Sequence, residues 1–281
     1  MTIALYQQDI VWNDREANFK LVGERLSDLD EPVDIIILPE TFSCGFGDNM
    51  TAMAEPQDGP SLRFAADMAQ CCNALFVATW PVREPSGQVY NRLHWVTPEG
   101  SFGCYDKAHT FRVSGEADLI ARGTRREVFE WRGWRIKPAI CYDLRFPKWL
   151  RNEPARRDGQ PSADTTDGMS PALPAGRRAD ERTLDYDLLI VCANWPGSRH
   201  QAWSTLLKAR AIENLAYVAG VNRVGTDGAG IDYCGNSALI DYKGLPIAEC
   251  QPCTDRLQIA KIDRQPLETF RRHWPFYLDF D

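Results

Sequence analysis

Short, densely apolar runs alternate along this chain with longer stretches in which apolar residues recur every three or four positions. TIALYQ and VDIIILP, ending at Gln7 and Pro39, are short and rich in apolar or β-branched residues, and they read as buried strands. Between them Phe19, Leu21, Val22, Leu26 and Leu29 fall at near-helical spacing over residues 14–30, with Asn13 or Asp14 as the N-cap. A second helix is predicted from Ser61 to Cys72, behind the DGPS turn, and the strand ALFVATW follows it. RLHWVTPEGSFGCYDK reads as a hairpin turning at Pro98, Glu99 and Gly100. EVFEWRGWRIKPAICY reads as another, turning at Arg132–Gly133. YDLLIVCANW is a buried strand that leads into a helix over residues 201–214. AYVAGVNRVG and SALIDYKGLPIAE supply further strands, and QIAKIDRQPLETFRRHWPF a strand and a short helix.

Helices alternating with strands, and hairpins interrupting them, predict a layered α/β protein with mixed sheets. No repeat or clean linker divides the chain, so residues 1–281 are expected to form one domain. The stretch from Glu153 to Arg182 breaks the pattern. It is rich in Pro, Gly, Asp, Arg, Ser and Thr and nearly free of large apolar residues, so it reads as an exposed insertion, residues 153–182, or a lid.

Composition narrows the function. With 44% hydrophobic residues the chain can bury a substantial core, and its net charge of -7 argues against a nucleic-acid surface. The arginine pairs 125–126, 156–157 and 177–178 sit among acidic residues and read as solvated surface. No apolar run approaches the length of a membrane span, and the N-terminal residues lack a signal-peptide pattern, so neither membrane nor export is expected. The nine cysteines lie mostly in apolar runs, which predicts reduced thiols in the cytoplasm. Four scattered histidines show no metal-ligand spacing, and Cys250–Cys253 is a C-x-x-C without the helix a redox motif needs, so no metal or cofactor is expected. No Gly-rich phosphate loop opens a helix after a strand.

Three polar residues close apolar runs: Glu40 after VDIIILP, Lys107 after CYD and Cys141 after IKPAI. Ligand sites in α/β sheets gather beyond the carboxyl ends of strands, so the three could converge. Cys141 precedes DLRFPKWL, which can begin a helix, and a thiolate is stabilised at a helix N-terminus. The alternative is an inert core thiol. No histidine lies in a pattern tied to Cys141, which turns attention to a carboxylate base. Glu40 and Glu116 are the candidates.

LPETF with Glu40, YDKAHTF with Lys107 and ICYDLRFP with Cys141 resemble the nitrilase superfamily of carbon–nitrogen hydrolases, and Glu116 stands where that family has its second glutamate. Each motif is short, but in this order and spacing they are specific. NWP at Asn194–Pro196, KARAIEN at Lys208–Asn214 and AGVNRVG look like the omega-amidase branch, which hydrolyses the side-chain amide of 2-oxoglutaramate and related dicarboxylate monoamides. The resemblance implies a four-layer α-β-β-α sandwich, a homodimer or larger assembly, and no cofactor. It further implies Cys141 as nucleophile, Glu40 as general base, Lys107 and the Tyr142 backbone N–H as oxyanion donors, and Glu116 orienting Lys107. A dicarboxylate substrate also needs a cation for its free carboxylate, and Arg145 is the candidate, with a structural ion pair as the alternative. Phe42, Trp195 and Tyr142 are expected to line the pocket, with core packing as the alternative. A sibling amidase, an N-carbamoyl hydrolase and a non-catalytic assembly protein are the competing readings.

Overall fold

The computed structural model describes residues 1–153 and 184–279; the sequence-predicted insertion at 153–182 falls, but for Glu153, outside the described residues. In chain order the first half runs β1 (Thr2–Gln7), α1 (Arg15–Ser27), β2 (Ile35–Ile37), α2 (Met50–Met53), α3 (Pro60–Cys72), β3 (Leu75–Arg83), β4 (Val89–Val96), β5 (Phe102–Asp106) and α4 (Glu116–Leu119). Next come β6 (Phe129–Trp131), β7 (Trp134–Ile140), α5 (Pro147–Leu150), β8 (Leu188–Ala193), α6 (His200–Asn214) and β9 (Tyr217–Asn222). The chain closes with β10 (Val224–Thr226), β11 (Asp232–Cys234), β12 (Ala238–Ile240), β13 (Pro246–Glu249), β14 (Arg256–Lys261) and α7 (Arg264–His273).

Two six-stranded sheets share one plan. The first has the order β14-β1-β2-β3-β4-β5 and the second β13-β12-β9-β8-β7-β6. Each has three parallel strands at its centre, β1-β2-β3 and β7-β8-β9, flanked by antiparallel ones. The central strands are apolar on both faces because both faces are covered. Ile3, Leu5, Ile35, Ile37, Leu75 and Val77 point towards the second sheet, while Ala4, Tyr6, Ile36, Leu38, Phe76 and Ala78 point towards α1 and α3. On the far side α6 lays Trp203, Leu207 and Ala211 against the second sheet. Gly220 of β9 permits that approach: a β-carbon there would meet Leu207 Cδ1 at 2.6 Å. The layers are therefore helix, sheet, sheet, helix, as the resemblance implied.

The strands and longer helices stand where the pattern placed them, but the chain after Cys141 departs from expectation. In place of a helix there is a five-residue 3-10 turn, Cys141–Arg145, then Phe146 at φ -112 and ψ 86, then the single turn α5. Pro147 is the cause, since a residue ahead of proline is driven out of the helical region.

Helix α7 is pinned to the second sheet by a buried ion cluster. Asp187 accepts from Arg271 at 2.6 Å and from Arg135 at 2.7 and 3.1 Å, and Arg271 also donates to the carbonyls of Leu215 and Tyr186. Asp187→Ala is expected to cost about 3–5 kcal/mol, because two arginines lose their counter-charge in the interior. Burial alone would raise the Asp187 carboxyl, yet Arg135 and Arg271 hold it below its ordinary value. A lowered carboxyl contributes stability above the unfolded pKa of about 3.9 and loses it as pH falls through the folded value. Urea melts at neutral pH and near pH 3 test both: the gap between wild type and Asp187→Ala should shrink in acid.

Candidate active site

Side chains from both sheets meet at the carboxyl ends of β2, β5, β7 and β8. Glu40 follows β2, Lys107 follows β5, Cys141 follows β7 and Asn194 follows β8. Two of the backbone turns that present them are left-handed at non-glycine residues, Thr41 at φ +47 and Cys141 at φ +44. Such conformations cost of order 1–3 kcal/mol and persist where surrounding contacts enforce them, commonly at functional sites.

Lys107 is the hub. Its Nζ lies 2.8 Å from Glu40 Oε1 and 2.9 and 3.0 Å from the two Glu116 oxygens, with all three side chains essentially buried. The ammonium also faces the Phe46 ring, 4.8 Å from its centroid. Glu40 is held further by Asn91 Nδ2 at 2.8 Å on Oε1 and by the Asn194 backbone N–H at 2.8 Å on Oε2. Asn194 Nδ2 returns to the Glu40 carbonyl at 2.6 Å, and Glu116 accepts the Phe111 backbone N–H. Cys141, 9% exposed, sits beside this cluster with Sγ 3.8 Å from the Asn194 carbonyl.

Charge decides the protonation states. Burial works against the Lys107 ammonium, but Glu116 first and Glu40 second outweigh it, so the lysine stays charged far above neutral pH. Two carboxylates against one ammonium leave the interior negative. Burial, and next the charge of Glu40, push the Cys141 thiol well above its ordinary value, with Lys107 pulling the other way. This corrects the expectation of a thiolate stabilised by a helix terminus: the sulfur keeps its proton at rest, and the carboxylate beside it is placed to take that proton. Burial likewise raises Glu116, opposed by Lys107 and reinforced by Glu40.

Neutralising Glu40 gives a test in which two readouts move oppositely. In Glu40→Gln the charge that raises the thiol is gone, so Cys141 titrates lower and iodoacetamide alkylates it faster at neutral pH. Any catalysis that passes this proton through Glu40 falls in the same variant, because glutamine cannot carry it. Slower alkylation would show that Glu40 does not set the state of the thiol.

A third carboxylate frames the site without entering it. Asp143 accepts from the Ile140 and His109 backbone N–H groups, from the Tyr105 hydroxyl at 2.8 Å, and faces His109 Nδ1 at 2.8 Å. It ties the turn after Lys107 to the turn after Cys141, so the two cannot drift apart independently.

Glu40, Lys107, Glu116 and Cys141 are thus brought together from distant parts of the chain. Tyr142 adjoins them, its ring edge-on to Phe111 at 5.0 Å. Trp195 is nearly buried, packed on Trp203 at 5.7 Å and covered by the Arg145 guanidinium at 5.0 Å. Arg145 is exposed, and no carboxylate among the described residues pairs with it. Phe42 stands elsewhere: fully buried between the first sheet and its helices, among Phe19, Phe64, Phe76 and Trp80, it is core and not pocket lining. Sequence reasoning missed Asn91, a buried amide inside β4 that holds Glu40. A polar residue at a buried strand position was the available signal. Arg199 is exposed over the Phe111 ring at 5.3 Å.

The sequence matches the carbon–nitrogen hydrolase family model over residues 2–159 and 178–272. It is 37% identical to Omega-amidase YafV of Yersinia enterocolitica, over 100% of this chain and 97% of the relative. It is 38% identical to Omega-amidase YafV of Escherichia coli K12, with the same shares covered. Among solved structures it is similar to XC1258 of Xanthomonas campestris, a CN-hydrolase superfamily protein with an arsenic adduct in its active site. That similarity has a TM-score of 0.88 and 39% identity, covering 100% of this chain and 97% of the other.

Proposed function

The chain belongs to the carbon–nitrogen hydrolase family, and on that premise we propose that it is an omega-amidase working through a Cys141 thioester. The observation that carries the reading is the Lys107 ammonium clamped between Glu40 and Glu116 beside a buried thiol, with no histidine base in the cluster. Glu40 takes the Cys141 proton as sulfur attacks the amide carbon. Lys107 and the Tyr142 backbone N–H receive the oxyanion. Glu40 then protonates the departing nitrogen, releasing ammonia and leaving the thioester. Water, deprotonated by Glu40, attacks that thioester; the acid leaves and the thiol is restored. Glu116 acts through Lys107, holding the ammonium in place. The arsenic adduct in the similar Xanthomonas campestris protein supports a reactive thiol, because arsenic is thiophilic.

The substrate class is a dicarboxylate monoamide such as 2-oxoglutaramate, supported by the relatives named omega-amidase. Its free carboxylate needs a cation, and Arg145 over Trp195 and Arg199 over Phe111 flank the mouth on aromatic rings without carboxylate partners among the described residues. Arg145→Ala and Arg199→Ala are each expected to raise KM about 10- to 100-fold for such substrates, the range for a hydrogen bond to a charged group. Both should leave amides that lack the distal carboxylate unaffected. Ammonia release from a panel of omega-amides, carboxylate-free amides and N-carbamoyl compounds decides the class; preference for the N-carbamoyl compounds would replace this reading with that of a sibling hydrolase. Assembly as a homodimer or larger oligomer, and residence in the cytoplasm, belong to the same proposal. All nine cysteines are free, which is in keeping with a reducing compartment.

A further inference from the structure

Outside the catalytic cluster, two thiols from separate parts of the chain meet at the surface. Cys234 ends β11 and is half-buried; Cys253, in the turn ahead of β14, is exposed. The Cys253 backbone N–H donates to the Cys234 carbonyl at 2.9 Å, and the neighbouring Cys253 thiol raises that of Cys234 above its ordinary value. A single backbone hydrogen bond of that length keeps the two α-carbons within about 6.5 Å, inside the span a disulfide accepts. Cys250, the other half of the C-x-x-C, is buried.

Cys234 also packs against the turn that follows Asn194. A β-carbon on Gly197 would lie 3.1 Å from Cys234 Sγ, so the sulfur rests against that residue. Gly197 opens the 3-10 turn Gly197–Arg199, whose last carbonyl accepts the Trp195 indole N–H at 2.9 Å. Trp195 follows Asn194, which holds Glu40 through its backbone N–H.

We propose that Cys234 and Cys253 form a reversible thiol–disulfide site, oxidised by low-molecular-weight disulfides, which fixes the Trp195–Arg199 wall of the amide site. With glutathione disulfide as oxidant, the exposed Cys253 thiolate attacks one sulfur and releases one glutathione thiolate. Cys234 then attacks the mixed disulfide and releases the second. Two protein thiols are oxidised, one glutathione disulfide is reduced, and both protons pass to water. The chemical groups on β2, β5 and β7 are untouched, so the expected kinetic effect lies in substrate binding. Only that kinetic part rests on the amidase reading.

The test equilibrates the reduced full chain in glutathione buffers of rising disulfide-to-thiol ratio, alkylates the remaining thiols and maps peptides. The expected result is a 234–253 cross-link that forms before glutathionylation of exposed Cys71 and reverses with reductant. KM for the amide should move with it by about 2- to 30-fold, the scale of coupling through packed networks, while kcat holds. In Cys253→Ser that dependence of KM on the ratio should vanish. Free Cys234 and Cys253 at ratios that modify Cys71, or a 250–253 link, would overturn the site. A 234–253 link with unchanged KM would overturn its coupling to the wall. Where no amide is turned over, the cross-link map still reads the site, and the alkylation rate of Cys141 replaces KM as the readout of the wall.

Discussion

Cys141→Ala is expected to remove amide hydrolysis almost entirely, a loss on the order of 10⁶-fold in kcat if this thiol behaves as nucleophiles do in other acyl-transfer hydrolases. The reasoning is electrostatic as well as covalent. Around the thiol stand two carboxylates and one ammonium, all buried, and none of them can replace sulfur as a carrier of the acyl group. Water activated directly by Glu40 would still have to attack the amide and expel nitrogen in one passage, without the thioester that divides the barrier. The fold should survive, since the change removes one small buried atom at a strand end. Steady-state ammonia release, with the melting temperature as control, measures both. Near-wild-type turnover in this variant would end the covalent scheme.

Lys107→Ala is expected to lose at least about 10²–10³-fold in kcat, the usual cost of one oxyanion donor. The true loss should be larger, because the lysine also keeps two buried carboxylates apart. Without it Glu40 and Glu116 face each other with no cation, and like charges so placed drive one of them to take a proton. If Glu40 takes it, the base is lost with the oxyanion donor. Stability should fall as well, by about 3–5 kcal/mol, since removing one partner strands buried charge. The double variant Lys107→Ala/Glu116→Gln separates the two effects: stability should recover with one carboxylate neutralised, and turnover should not. Recovery of turnover would assign Lys107 a purely structural role. Lys107→Arg is not a conservative control, because a planar guanidinium cannot present the compact charge that three oxygens surround here.

The architecture could be read from the sequence because its central strands are covered on both faces. Runs such as VDIIILP and LLIVCANW have no polar side to hide, and they can only be interior strands of a layered protein. Glu40, Lys107 and Cys141 were readable as polar residues at the ends of such runs, and together with Glu116 their order matched a known family. Three things were not. The turn after Cys141 looked helical, but Pro147 confines Phe146 and shortens it to a 3-10 turn. Phe42 stands two residues from Glu40, so strand alternation would place both on one face. The left-handed backbone at Thr41 breaks that alternation and sends the ring into the helix layer instead. Asn91 and Asn194, which fix the Glu40 carboxylate, come from strands of different sheets, and no local pattern announces that they meet. The state of the thiol was misjudged for the same reason: its neighbours in space are carboxylates, not a helix terminus.

An acyl group that passes through a common thioester must show itself in how it partitions between water and hydroxylamine. A series of substrates sharing one acyl group but differing in leaving group is hydrolysed in the presence of hydroxylamine, and the ratio of hydroxamate to acid is measured for each. A shared Cys141 thioester predicts one ratio for the whole series, because the leaving group has gone before either nucleophile arrives. A ratio that changes with the leaving group would place water at the amide itself and contradict the account.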